Sequence, residues 1–157
     1  IVRAVSFAVL LVGLATSAYA QADANCTIAM VSGSWAYTET GTLYLPTGPV
    51  LLAIVGSYTV DPRGDLQGQR TSSMGGTVAT ATIKGTATVN SDCTGTVTLN
   101  FYDQKGALVN TAAKNVVYLN WANEARAIIT SVNLPNGMSA GAVMTTDAKK
   151  LFPGTQR

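Results

Sequence analysis

The run Gly56-Ser57-Tyr58-Thr59-Val60-Asp61-Pro62-Arg63-Gly64-Asp65-Leu66-Gln67-Gly68 is echoed by Gly85-Thr86-Ala87-Thr88-Val89-Asn90-Ser91-Asp92-Cys93-Thr94-Gly95-Thr96-Val97. Each copy opens on Gly, a hydroxyl residue, a variable position and Thr-Val. Each then meets Asp or Asn at the start of a short turn and returns as an alternating run. Alternation with period two marks a half-buried strand, and a strand–turn–strand of this kind is a β-hairpin. Pro62 presets the bend of the first turn and Gly64 accepts a positive φ.

Working outward, the same grammar covers most of the chain. Upstream, Gly33 opens a strand in which Trp35, Tyr37, Glu39, Gly41, Leu43 and Leu45 share a face. Pro46-Thr47-Gly48-Pro49 breaks it. Val50 to Val60 follows, with Ile54, Tyr58 and Val60 on one side. Asp65 to Ser73 is polar on both faces, which suits an edge or a strand that lines a cavity. Thr77 to Asn90 carries an interior Gly85, and the Lys84-Gly85 step predicts a bulge or bend.

Thr96 to Tyr102 is the plainest strand, Val97, Leu99 and Phe101 opposing Thr96, Thr98, Asn100 and Tyr102. Downstream the pattern predicts Ala107 to Ala113, then Asn115 to Ala122 paired with Arg126 to Val132. Met138 to Thr145 closes the series, and Asp147 to Leu151 reads as a short helical or irregular tail. The fold class is therefore all-β, an antiparallel up-and-down meander of eight or nine strands. A meander with one apolar face removes its edges by closing into a barrel, and a two-layer β-sandwich is the alternative.

The first twenty residues combine a basic Arg3, an apolar run from Ala4 to Ala15 and a small-x-small site at Ala18-Tyr19-Ala20. Those are the parts of a secretory signal peptide, and the apolar run is short for a membrane span. Residues 21–157 then form a single all-β domain without a membrane span, secreted or periplasmic. Of ten Lys and Arg only Arg3 falls in the leader, and all eight Asp and Glu follow it, so the mature chain is close to neutral. Near-neutrality gives no electrostatic reason to expect nucleic acid as a partner. Cys26 and Cys93 are the two cysteines, and an exported pair is expected to bridge.

The sequence contains no histidine. That removes the commonest general base, the Ser-His-Asp triad and the usual zinc sites together, so no metal is expected. No glycine-rich phosphate loop leads from a strand into a helix, and no cofactor is expected either. Asp61, Asp65, Asp92 and Asp103 fall at turns and read as turn formers. Glu39 differs, being placed mid-strand on the face of Trp35 and Tyr37. Turned inward, it is a candidate general acid/base or polar anchor, or the partner of Arg70 or Arg126. Tyr37, Glu39, Tyr58 and Arg70 together make a mostly apolar pocket with few polar groups, the composition of a small-molecule site.

Gly33-x-Trp35 resembles the G-x-W signature that opens lipocalin-type calycin barrels. That resemblance implies a Trp plugging the closed end of the barrel, stacked by an Arg from near the final strand, for which Arg126 is the match. On the residues alone, Trp35 reads as an ordinary core anchor, since Trp buries a large area wherever it falls inward. The wider pattern is similar to uncharacterised exported bacterial β-proteins and to the calycin-like barrels grouped with allene oxide cyclase. The second lipocalin motif, with its Thr-Asp-Tyr, has no counterpart in the chain.

Three functions fit these readings. One is a barrel binding a small, largely apolar molecule in its lumen. A second, implied by the cyclase resemblance, is a cofactor-free isomerase using Glu39 and a Tyr. The third is a structural or surface-interaction protein with a filled barrel.

Overall fold

The computed structural model describes residues 25–152, so the expected leader at 1–20 lies outside the described residues, as do both ends of the expected domain. A single helical turn, α1 (Ile28–Val31), precedes eight strands: β1 (Gly33–Leu45), β2 (Gly48–Val60), β3 (Asp65–Met74), β4 (Thr77–Ala87), β5 (Thr94–Tyr102), β6 (Leu108–Leu119), β7 (Glu124–Asn133) and β8 (Ser139–Lys150). Each strand pairs antiparallel with the next, and β8 returns to pair with β1 from Trp35↔Lys150 to Tyr44↔Gly141. The sheet is a closed barrel of the calycin-like type, which excludes the sandwich and leaves no free edge.

Closure follows from the alternation. Trp35, Tyr37, Glu39 and Leu43 are buried along β1, while Thr38, Thr40 and Tyr44 are exposed. Leu66 on β3, Ile83 on β4, Leu99 and Phe101 on β5, Val116 and Tyr118 on β6 and Met144 on β8 complete the interior. The first repeat forms β2–turn–β3 and the second β4–turn–β5. In the first turn the Asp61 carboxylate accepts the backbone N–H groups of Arg63 (2.8 Å) and Asp65 (2.9 Å), and Gly64 takes a φ of 94°. Asp103 does the same for Lys105 (2.8 Å) and Ala107 (2.9 Å), and Asp92 for Thr94 (3.0 Å). Asp65 does not cap a turn; it opens β3 instead.

Three boundary expectations are corrected. The pairing runs through Lys84 and Gly85 on both sides without a register shift. Gly85 is required there because the Thr98 carbonyl occupies the space of a side chain. The register shifts instead lie at Phe101/Tyr102, Ala113/Lys114 and Ile128/Val132. β6 is continuous through Lys114 and ends at Leu119, after which Asn120, Trp121 and Ala122 all take left-handed φ values in a turn. Residues 147–150 are not a tail, because β8 continues to Lys150 along β1 and β7.

The two barrel ends differ. At one, α1 lies across the lumen with Val31 buried, and its last carbonyls find side-chain donors, as a helix end requires. Trp35 Nε1 donates to the Val31 carbonyl (2.8 Å) and Lys150 Nζ to the Met30 carbonyl (2.5 Å). A disulfide joins Cys26, just before α1, to Cys93 in the β4–β5 turn, with a Cα–Cα distance of 5.0 Å. Closing a loop with a sequence separation of 67 residues stabilises the fold by about 4 kcal/mol on the chain-entropy model. At the other end nothing among the described residues crosses the lumen, and the β1–β2, β3–β4, β5–β6 and β7–β8 turns form an open rim.

Candidate functional site

The lumen is built in three layers. Nearest the helical plug is an aromatic stack. Trp35, fully buried, lies parallel to Tyr58 with ring centroids 6.2 Å apart and planes at 11°. Tyr118 tilts against Trp35 at 6.5 Å and Tyr37 against Tyr58 at 5.6 Å. Gly56 permits this, since a Cβ there would stand 2.6 Å from the Tyr37 ring. A void of only about 40 Å³ remains between the three tyrosine rings and Leu66, Ile83 and Val97. Burial pushes the phenols of Tyr37 and Tyr58 well above their usual range and that of Tyr118 to about 12.

Above the aromatics is a polar layer. Glu39 on β1 meets Lys114 on β6 across the lumen, and both side chains are buried. Thr146 on β8 completes the group: Lys114 Nζ donates to Thr146 Oγ1 (2.9 Å), and Thr146 Oγ1 donates to Glu39 Oε2 (2.8 Å). Lys114 also donates to Glu39 Oε2, so one carboxylate oxygen receives two donors. Burial pulls the Lys114 ammonium below its usual range, and the Glu39 charge opposes that pull.

The third layer is a cup of about 420 Å³ open at the rim. Leu43, Leu52, Phe101, Ile129, Val132 and Met144 give it apolar walls, and Glu39 reaches it from below. Arg70 enters from β3, its guanidinium 3.6 Å from the centroid of the Phe101 ring and its Nη2 donating to Asn110 Oδ1 (3.3 Å). Burial lowers the pKa of Arg70, an effect that Tyr37 and Glu39 oppose. The volume and the lining, apolar with a few converging polar groups, are those of a small-molecule cavity.

The residues singled out from sequence therefore separate. Glu39 and Arg70 line the cup, whereas Tyr37 and Tyr58 belong to the packed half beneath it. Neither Arg70 nor Arg126 is the ion-pair partner of Glu39; that partner is Lys114. Arg126 does not stack on Trp35. It lies on the outer face, its neighbours Ala125 and Ala127 taking the inward positions, and it pairs with Asp147 (2.7 Å) and Glu124 (3.7 Å). The cation over Trp35 is Lys150, 5.7 Å from the ring centroid.

Lys114 and Thr146 were missed because the expected strand breaks fell at both positions. The signal was present: Ala112, Val116 and Tyr118 put position 114 inward, and Met144 and Ala148 do the same for 146. Among the described residues no group of three His, Cys, Asp or Glu side chains is placed to hold a metal, and no helix is long and apolar enough to cross a membrane.

No protein-family model and no curated protein matches the chain. Among the solved structures similar to it in fold are two barrels. One is EF1p2_mFAP2b bound to DFHBI, 12% identical, with a TM-score of 0.56 over 81% of this chain and 98% of that one. The other is a redesigned β-barrel, b11L5F_LGL, 14% identical, with a TM-score of 0.50 over 80% of this chain and 96% of that one. At such identities the likeness is one of fold: the chain is an eight-stranded, closed, calycin-like barrel.

Proposed function

We propose that this protein is an exported barrel that binds a small, largely apolar molecule in the open half of its lumen. The observation that carries the reading is the 420 Å³ cup, apolar-walled and open at one end, above a half of the barrel that is packed solid. A barrel filled throughout would favour a purely structural role. The likeness to a barrel that holds DFHBI adds support, since it places a small molecule on a similar fold. The Cys26–Cys93 disulfide supports a non-reducing compartment, and the leader-like residues 1–20 support export into one.

An isomerase reading asks Glu39 to exchange a proton with a substrate. Its Oε2 already accepts from Lys114 and Thr146, which suits a fixed polar floor better than a shuttle.

The test is a fluorescence titration with N-phenyl-1-naphthylamine, a neutral apolar probe, on the wild type and on Ala112→Trp. Ala112 is a buried residue of the cup wall, so an indole there obstructs the cup. Saturable binding to the wild type, abolished in a folded Ala112→Trp variant, is the expected result. The absence of saturable binding to the wild type overturns the proposal.

A further inference from the structure

Arg70 brings unspent hydrogen-bonding capacity to the wall of the cup. Its Nε–H is buried and has no partner, alone among the buried side-chain nitrogens and oxygens of the described residues. Nη2 makes one long bond to a neutral amide, that of Asn110. No carboxylate among the described residues lies within ion-pair distance of the guanidinium. The two acidic residues of the cup are otherwise engaged, Glu39 by Lys114 and Thr146, and Asp103 by the backbone of its own turn. With Glu39 paired to Lys114 and Asp103 beyond ion-pair distance, Arg70 stands in the apolar wall without a carboxylate partner.

We infer that the ligand of the cup is an amphiphile with an apolar body and a single anionic head, a carboxylate received by Arg70. The inference rests on the proposed cup reading and narrows it to a chemical class. A guanidinium presents its donors in a planar fork that matches the two oxygens of a carboxylate, and such charge-assisted pairs are the strong ones. The Phe101 ring beneath the guanidinium and the Asn110 amide beside Nη2 both hold the Arg70 head in the cup wall. A guanidinium that lines an apolar cup with no carboxylate beside it points to an anion that the cup receives. The burial that disfavours the bare cation is offset when an anion sits beside it. The body of the molecule then occupies the space between Leu43, Leu52, Ile129 and Met144.

The test is displacement of N-phenyl-1-naphthylamine by three ligands of one chain length, namely decanoate, decanol and decylamine, on the wild type and on Arg70→Met. On the wild type decanoate is expected to bind about tenfold or more tightly than decanol, the span of one good charge-assisted pair. Decylamine is expected to bind more weakly than either. In Arg70→Met the preference for decanoate disappears while decanol binding is kept. Equal binding of decanoate and decanol to the wild type overturns the anionic head and leaves the apolar cup standing. Failure of all three ligands and of the probe overturns the cup and the inference together. The wild-type comparison decides the matter even if Arg70→Met does not fold.

Discussion

Lys114 and Glu39, on strands that are not neighbours in the sheet, form a buried ion pair across the lumen, and Thr146 bonds to both. This pair is the floor of the cup and the boundary between the solid and open halves of the barrel. A buried pair of this kind contributes little net stability relative to apolar residues of the same shape, but removing one partner strands the other. Lys114→Met is therefore expected to destabilise the protein by about 3–5 kcal/mol, measured by urea unfolding. The double variant Glu39→Leu/Lys114→Met is expected to recover much of that loss. A single variant within experimental error of the wild type would show that the pair is not formed.

The aromatic half predicts a response to alkali. Tyr37, Tyr58 and Tyr118 ionise less readily in the folded chain than in the unfolded one, where the ordinary value of 10.0 applies. A raised folded-state pKa means stability that is fully present below pH 10 and is lost as the pH climbs through the folded values. Each tyrosine withdraws up to about 1.4 kcal/mol per pH unit within that window. Spectroscopic titration should show these three phenols ionising only together with loss of the near-ultraviolet dichroism of the fold. Reversible ionisation of all three with that dichroism intact would mean that the stack is open to solvent.

The cation that matters to Trp35 is Lys150 rather than Arg126. Arg126→Ala removes exposed ion pairs and should cost no more than about 1 kcal/mol. Lys150→Ala takes a donor from the Met30 carbonyl and the cation from the Trp35 ring. Trp35→Ala also leaves a large cavity, at about 3–5 kcal/mol. Thermal melts of the three variants should rank Arg126→Ala as the most stable and Trp35→Ala as the least. A larger loss for Arg126→Ala than for Lys150→Ala contradicts the arrangement.

The disulfide fastens the plug to the β4–β5 turn. Replacing both Cys26 and Cys93 by Ala should lower the unfolding free energy by about 4 kcal/mol while leaving the β-sheet circular dichroism unchanged at low denaturant. Loss of the sheet signal itself would mean that the bridge is needed to form the barrel, beyond stabilising it.

Much of the fold was legible because alternation is a local signal. The Trp35-to-Leu45 face, the two hairpins built on Gly56 and Gly85, and the Asp61 and Asp103 turns can each be read within a dozen residues or so. The site was legible only in part. Glu39 and Arg70 stood out as charges placed mid-strand. Their surroundings depend on which non-adjacent strands closure brings together, β1 with β6 for Glu39 and β3 with β5 for Arg70. Nothing local to Glu39 points to Lys114. Lys114 itself looked like a break between two short strands, because a lysine flanked by Ala113 and Asn115 reads as a turn until closure fixes its face. Tyr37 and Tyr58 misled for a related reason. Sharing a face with Glu39 says nothing of depth along the barrel, and depth is what separates the packed half from the cup.

The proposed ligand site is the open half of the lumen and no other surface. Methyl NMR of the protein titrated with N-phenyl-1-naphthylamine tests it most directly. Shifts are expected at Leu43, Leu52, Ile129, Val132 and Met144, with Leu66 and Ile83 of the packed half undisturbed. Shifts confined to the exposed apolar side chains of the outer face, Leu51 and Val143, with the cup methyls unmoved, would contradict it.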